Sequence, residues 1–135
     1  MKKSQNDEAQ RWLQQARADF EAGEYLIQGK KFYLACFVFQ QAAEKALKAY
    51  LYARGEDWVI GHSVQKLCLE CSKYDSVFKE LGEEVNGLDG YYIPTRYPNS
   101  LPDGIPADVY TRSDAERTRA MCDKIIKFVL DRIPE

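Results

Sequence analysis

"FQQAAEKALKAYL", Phe39 to Leu51, decides how this chain folds. Ala42, Ala43, Ala46, Leu47, Tyr50 and Leu51 recur at helical spacing, and no glycine or proline interrupts them. The residues just before, "FYLACFVF", are nearly all apolar and taken alone would also suit a strand. They run into a strong helix former without a turn residue between, so one helix is expected from Lys31 to Arg54. A helix apolar around most of its circumference is the central one of a bundle, touched by several neighbours. Its alanines let those neighbours come close, and Gly55 is placed to end it.

Outward from that helix, the pattern stays helical. From Asp7 to Gln28 the apolar positions Ala9, Trp12, Leu13, Ala16, Phe20, Gly23 and Ile27 fall at steps of three and four, with Gly29 as the stop. After the loop "GEDWVIG", Ser63 is an N-cap for a short helix to Lys73, its inward side made by Val64, Leu67, Cys68 and Cys71. Another helix starts at Asp75 or Ser76, with Phe78, Leu81, Val85 and Leu88 as its stripe and Gly82, Gly87 and Gly90 weakening its end. "SDAE", Ser113 to Glu116, reads as a capping box for a last helix whose stripe is Thr118, Cys122, Ile125, Ile126, Val129 and Ile133. The expected architecture is all-α: an antiparallel up-and-down bundle of four main helices plus one short helix, a single domain over residues 1–135.

Composition agrees. Apolar and charged fractions of 45% and 30% are those of a soluble globular chain. No apolar run approaches the ~20 residues that span a bilayer, and the polar N-terminus has no apolar core of a signal peptide. A cytoplasmic protein is expected. With a net charge of −2, an anion site must be local rather than a property of the whole surface. The four cysteines, Cys36, Cys68, Cys71 and Cys122, are then reduced thiols. The Cys68/Cys71 pair has metal-type spacing, but as a helical pair it more simply faces the core, and no metal or cofactor is expected.

The one long irregular stretch, Tyr91 to Arg112, precedes the last helix. Loops of this length in a compact domain are usually functional or disordered, and this one carries too many anchors for disorder. Pro94 and Pro98 bias Ile93 and Tyr97 toward extended geometry. Arg96 offers a planar fork for phosphate or carboxylate, and Tyr92 and Tyr97 offer rings on which a base can stack. That combination suits a nucleotide or an RNA backbone. It equally suits a plug between helices, with Arg96 tying the loop to a helix end or to Asp89. Lys45 and Lys48 of the central helix either face a cleft and meet phosphate or form a solvated ridge, Glu44 and Lys48 being an i,i+4 pair. His62, the only histidine, could be a general base or a local helix-start contact, and nothing in the spacing puts it beside Arg96.

The first helix with Trp12, Leu13, Ala16 and Asp19, then "FQQAAEKALKAYL", "GHSVQKL" and "LDGYYIPTRYP", together resemble a HEPN domain, of the kind found alone in prokaryotes and at the end of the chaperone sacsin. The resemblance runs from about Glu8 to Arg132, and the set of motifs carries it rather than any one. It implies a helical bundle, commonly a homodimer, with roles in nucleotide binding of the ATP or GTP type. It also implies a small nucleotidyltransferase as partner in a toxin–antitoxin pair. Some relatives are metal-independent RNases whose arginine is followed four to six residues later by a histidine. Here no histidine follows Arg96, so RNA cleavage by Arg96 and His62 is the alternative expectation and binding the first.

Overall fold

The computed structural model describes residues 2–134. Six helices follow in order: α1 (Lys2–Gln28), α2 (Phe32–Ala53), α3 (Val64–Ser72), α4 (Val77–Glu84), α5 (Pro106–Val109) and α6 (Arg112–Leu130), with 3-10 turns at Leu88–Tyr91 and Pro98–Ser100. Among the described residues there is no strand, and no helix is long and apolar enough to cross a membrane.

α1 and α2 form an antiparallel hairpin around a tight turn. Lys31 N–H reaches back to Leu26 O at 2.8 Å and Lys30 N–H to Ile27 O at 3.0 Å, a paired-bond stop of the Schellman kind. The residue in the left-handed region is Lys30 (φ 59°), not Gly29 as glycine preference alone would suggest. At the other end of α2, Gly55 takes that position (φ 100°) and Glu56 N–H closes the turn onto Leu51 O. α6 lies against both α2 and α1, while α3 and α4 form a smaller pair against α2.

α2 is buried along most of its length, as its composition requires: Ala35, Cys36, Phe39, Ala42, Ala43, Ala46, Leu47 and Ala49 are wholly inaccessible. The small residues allow α1 to approach closely. At Gly23 of α1 an added Cβ would lie 2.6 Å from the Phe39 ring, which itself packs against Phe20 with centroids 5.3 Å apart. The cysteines complete the core. Burial pushes the thiol of Cys36 up to about 11 and that of Cys68 up to about 12, so neither is an available thiolate at neutral pH.

The last helix starts differently from expectation. Its capping box is Thr111 with Asp114: Asp114 N–H donates to the Thr111 hydroxyl, and the Asp114 carboxylate accepts from Thr111 N–H at 2.9 Å. Ser113 sits inside the first turn instead of capping it. An aspartate three residues after the threonine closes the box as a glutamate would, so the helix begins two residues earlier. Its expected stripe, Thr118 through Ile133, is buried throughout.

The Gly23–Phe39 contact gives a direct test of this packing. Gly23→Ala improves helix propensity by about 1 kcal/mol, yet overpacking a fixed aromatic costs about 1–3 kcal/mol. Thermal unfolding should therefore show Gly23→Ala destabilised, whereas an alanine at an exposed α1 position such as Arg17 should leave the midpoint unchanged within about 0.5 kcal/mol.

Candidate functional site

The polar centre of the molecule is on α2, where a carboxylate would be least expected. Glu44 is 2% exposed, and Gln40 beside it is wholly buried. The Glu44 carboxylate accepts from Gln40 Nε2 at 2.7 Å, from Gln41 Nε2 at 3.0 Å and from His62 Nδ1 at 3.2 Å. Gln40 also donates to the His62 backbone carbonyl at 3.4 Å. A buried carboxylate is tolerable only with such partners. Glu44 therefore recruits the loop before α3 and aims the His62 ring.

That ring, 59% exposed, stacks on Tyr92 with centroids 5.0 Å apart and planes within 14°. Arg96 completes the group. Its guanidinium carbon lies 4.8 Å from the Tyr92 ring, 4.5 Å from that of Phe37 on α2 and 5.2 Å from that of Tyr97. Arg96 Nε donates to Tyr92 O at 3.0 Å, which fixes the plane of the fork. The two terminal nitrogens have no partner among the described residues. They form an oriented pair of donors on an aromatic bed, whose Tyr92 ring also stacks with the imidazole.

The Tyr91–Tyr97 stretch divides its labour. Thr95, fully buried, donates to Tyr91 O at 2.7 Å, and Tyr91 packs toward Tyr110 and donates to Asp114 at 3.4 Å. These residues plug the groove. Tyr92, Arg96 and half-exposed Tyr97 form its rim. Asp89 takes no part in holding Arg96. It caps α3 instead, accepting from Ser63 Oγ at 2.8 Å, Val64 N–H at 2.6 Å and Gln65 N–H at 3.2 Å. The amide donors of a helix start prevail over a side chain seven residues along, because α3 has few other means of satisfying them.

The two lysines sit further along α2 and are engaged elsewhere. Lys45 Nζ pairs with Asp19 of α1 at 2.5 Å. Lys48 is 7% exposed, its ammonium 5.5 Å from the Trp12 ring, and it forms no ion pair among the described residues. Glu44 is not its partner, and of the two arrangements open to these lysines, a phosphate cleft or a solvated ridge, Lys48 adopts neither, being buried against Trp12. Lys48 follows Phe37, the bed of Arg96, by eleven positions, about 16 Å along the helix. Burial lowers its proton affinity from the ordinary value of 10.5, with Glu44 opposing that shift.

Reading along the chain missed Phe37 and the Glu44–His62 contact. A usable signal was present: Phe37, Gln41, Glu44 and Lys48 fall on one helical face, an unusual polar insertion in so apolar a helix.

Against this geometry the comparisons are specific. The family model for the HEPN domain matches residues 9–133. This chain belongs to the HEPN family. The crystal structure of TT1696 from Thermus thermophilus is similar at 37% identity and a TM-score of 0.82, over 93% of this chain and 98% of that one. ST0689, an archaeal HEPN homologue, is similar at 32% identity and a TM-score of 0.74, over the same shares of the two chains. A HEPN domain protein, TM0613 from Thermotoga maritima, matches at 32% identity and 0.68, over 90% and 95%. No curated protein matches. Such overlap shows that the helical arrangement of this HEPN domain extends across nearly the whole chain.

Lys48 generates a test with a defined sign. Because the unfolded chain holds the proton more tightly than the folded one, Lys48 makes stability rise with pH in the window below 10.5. Lys48→Met keeps the stem over Trp12 and removes the desolvated charge. It should raise stability at pH 7 by about 1 kcal/mol and flatten the rise of the denaturation midpoint with pH below 10.5.

Proposed function

We propose that this HEPN domain binds the phosphate of a nucleotide at the Arg96–Tyr92–His62 cluster. The supporting observation is the state of Arg96: one nitrogen orients the fork, two are left to donate, and three aromatic rings surround it. A preoriented guanidinium loses little entropy on meeting a phosphate and can engage it bidentately. Tyr97, half exposed at the edge, offers a ring on which a base would stack. Lys45 and Lys48 contribute at a distance, by offsetting negative charge along α2 rather than by touching the ligand.

The wider reading includes a homodimer and a small nucleotidyltransferase as protein partner in a toxin–antitoxin pair, both drawn from the family, and a cytoplasmic location drawn from the composition. Isothermal titration with ATP and GTP tests the binding core. Arg96→Ala should weaken binding about ten- to a hundredfold, the usual effect of losing hydrogen bonds to a charged group, while Lys48→Met leaves it within about twofold. No heat at millimolar nucleotide, or equal binding by Arg96→Ala, refutes the reading.

A second reading is favoured by one observation: His62 and Arg96, remote in sequence, both contact Tyr92, and a buried carboxylate orients the imidazole. In metal-independent RNA cleavage His62 would accept the 2′-hydroxyl proton while Arg96 stabilises charge on the phosphorane. RNA incubated with the protein and a chelator should then be cut, with the activity reduced at least about a hundredfold in His62→Ala. Intact RNA with the wild-type protein rejects this second reading and leaves nucleotide binding standing.

A further inference from the structure

The loop between α2 and α3 has two faces, and only one belongs to the cluster described above. Val59 is buried, and its N–H donates to the Tyr52 hydroxyl at 3.2 Å. Its neighbours point the other way: Trp58 is 82% and Ile60 71% exposed, the two most exposed large apolar side chains among the described residues. Such alternation is that of a strand with one side on the core. Yet between Asp57 and Gly61 the Val59 N–H is the only backbone group with a bond inside the protein, among the described residues. The segment therefore presents free amide donors and carbonyl acceptors in the manner of an unpaired sheet edge.

Alongside it runs a groove of about 470 Å³, walled by Trp58 and Ile60 on one side and by Lys66 and Glu70 of α3 on the other. Its charge is polarised. Glu56 and Glu70 line the end toward the last turn of α3, its outer end, the first accepting from the Tyr74 hydroxyl and the second paired with Lys73. Lys66, exposed and without an ion-pair partner among the described residues, lines the other end, in the first turn of α3 that follows His62. Backbone groups along one wall, apolar anchors above and opposite charges at the two ends match an extended peptide. The carboxylates at the outer end disfavour a polyanion, so nucleic acid is not the occupant the charges select.

We propose that this groove receives an extended segment of a partner protein by strand addition, with a basic side chain toward Glu56 and Glu70, an acidic one toward Lys66, and an apolar one against Trp58 and Ile60. Main-chain hydrogen bonds to the Trp58–Ile60 stretch, which ends where Gly61 turns to φ 119°, supply affinity, and the charged ends set the direction of the bound chain. The groove touches the nucleotide site only at His62, which lines both, and the proposal does not rest on that reading.

Short random peptides displayed on phage, selected on the full-length protein, provide the test. Selected peptides should share a basic and an apolar position. Synthetic copies should bind Trp58→Ala about thirtyfold more weakly and Arg96→Ala unchanged. Selection repeated on Glu70→Lys should exchange the basic preference for an acidic one. Trp58, Ile60 and Glu70 are solvent-facing or half-buried positions, and circular dichroism checks that each variant is folded. The proposal is overturned if no sequence class is enriched, if the selected peptides ignore Trp58→Ala, or if Glu70→Lys leaves the preference unaltered. It is equally overturned if Trp58→Ala turns a dimer into a monomer in sedimentation, which makes the patch a contact between copies. Quenching of Trp58 emission by single-stranded RNA with no peptide selected overturns it as well.

Discussion

One buried carboxylate organises the functional side of this molecule. Glu44 lies in the middle of the most buried helix, where an unpartnered charge would cost several kcal/mol. Its oxygens are satisfied by two glutamines of α2 itself and by the ring of His62. The loop from Gly55 to Ser63 is thereby held across α2, His62 is held upright, and Tyr92 stacks upon it. Arg96 then rests on Tyr92 and Phe37. Remove the acceptor at the base of this stack and each contact above it loses its reference point.

A second carboxylate couples the other pieces. Asp89 follows α4 in the chain but caps the first turn of α3, so the pair α3–α4 is closed by hydrogen bonds across its open end. The same 3-10 turn ends at Tyr91, whose ring enters the groove toward Tyr110. The position of Tyr92 is thus set from two sides, by Glu44 through His62 and by Asp89 through the backbone. Short proline-bounded loops are stiff, and this one begins from a fixed point. A preorganised Arg96 is the consequence.

Much of the architecture was legible along the chain because it depends on local periodicity. The stripes on α1, α2 and α6, the N-cap at Ser63 and the end of α2 at Gly55 all follow from spacing and backbone preference, and all are realised. Errors arose where two local solutions compete. "TRSDAE" holds two overlapping caps, and Thr111 with Asp114 prevails over Ser113 with Glu116. At the end of α1 the helix stops at Gln28 ahead of Gly29 as expected, while the paired bonds to Leu26 and Ile27 put Lys30 in the left-handed position.

By itself the sequence determined the helices, their buried faces and the presence of an arginine among tyrosines in a stiff loop. Those properties are carried by residues within a few turns of one another, where spacing alone dictates who meets whom. Only the tertiary structure decided which polar groups share a site. His62 lies 18 positions from Glu44 and Arg96 follows His62 on another loop, so no periodicity links them. What joins them is the obligation to satisfy a buried carboxylate and the stacking of three rings. Lys45 and Lys48, neighbours of Glu44 in sequence, are drawn away to Asp19 and Trp12 by the close approach of α1.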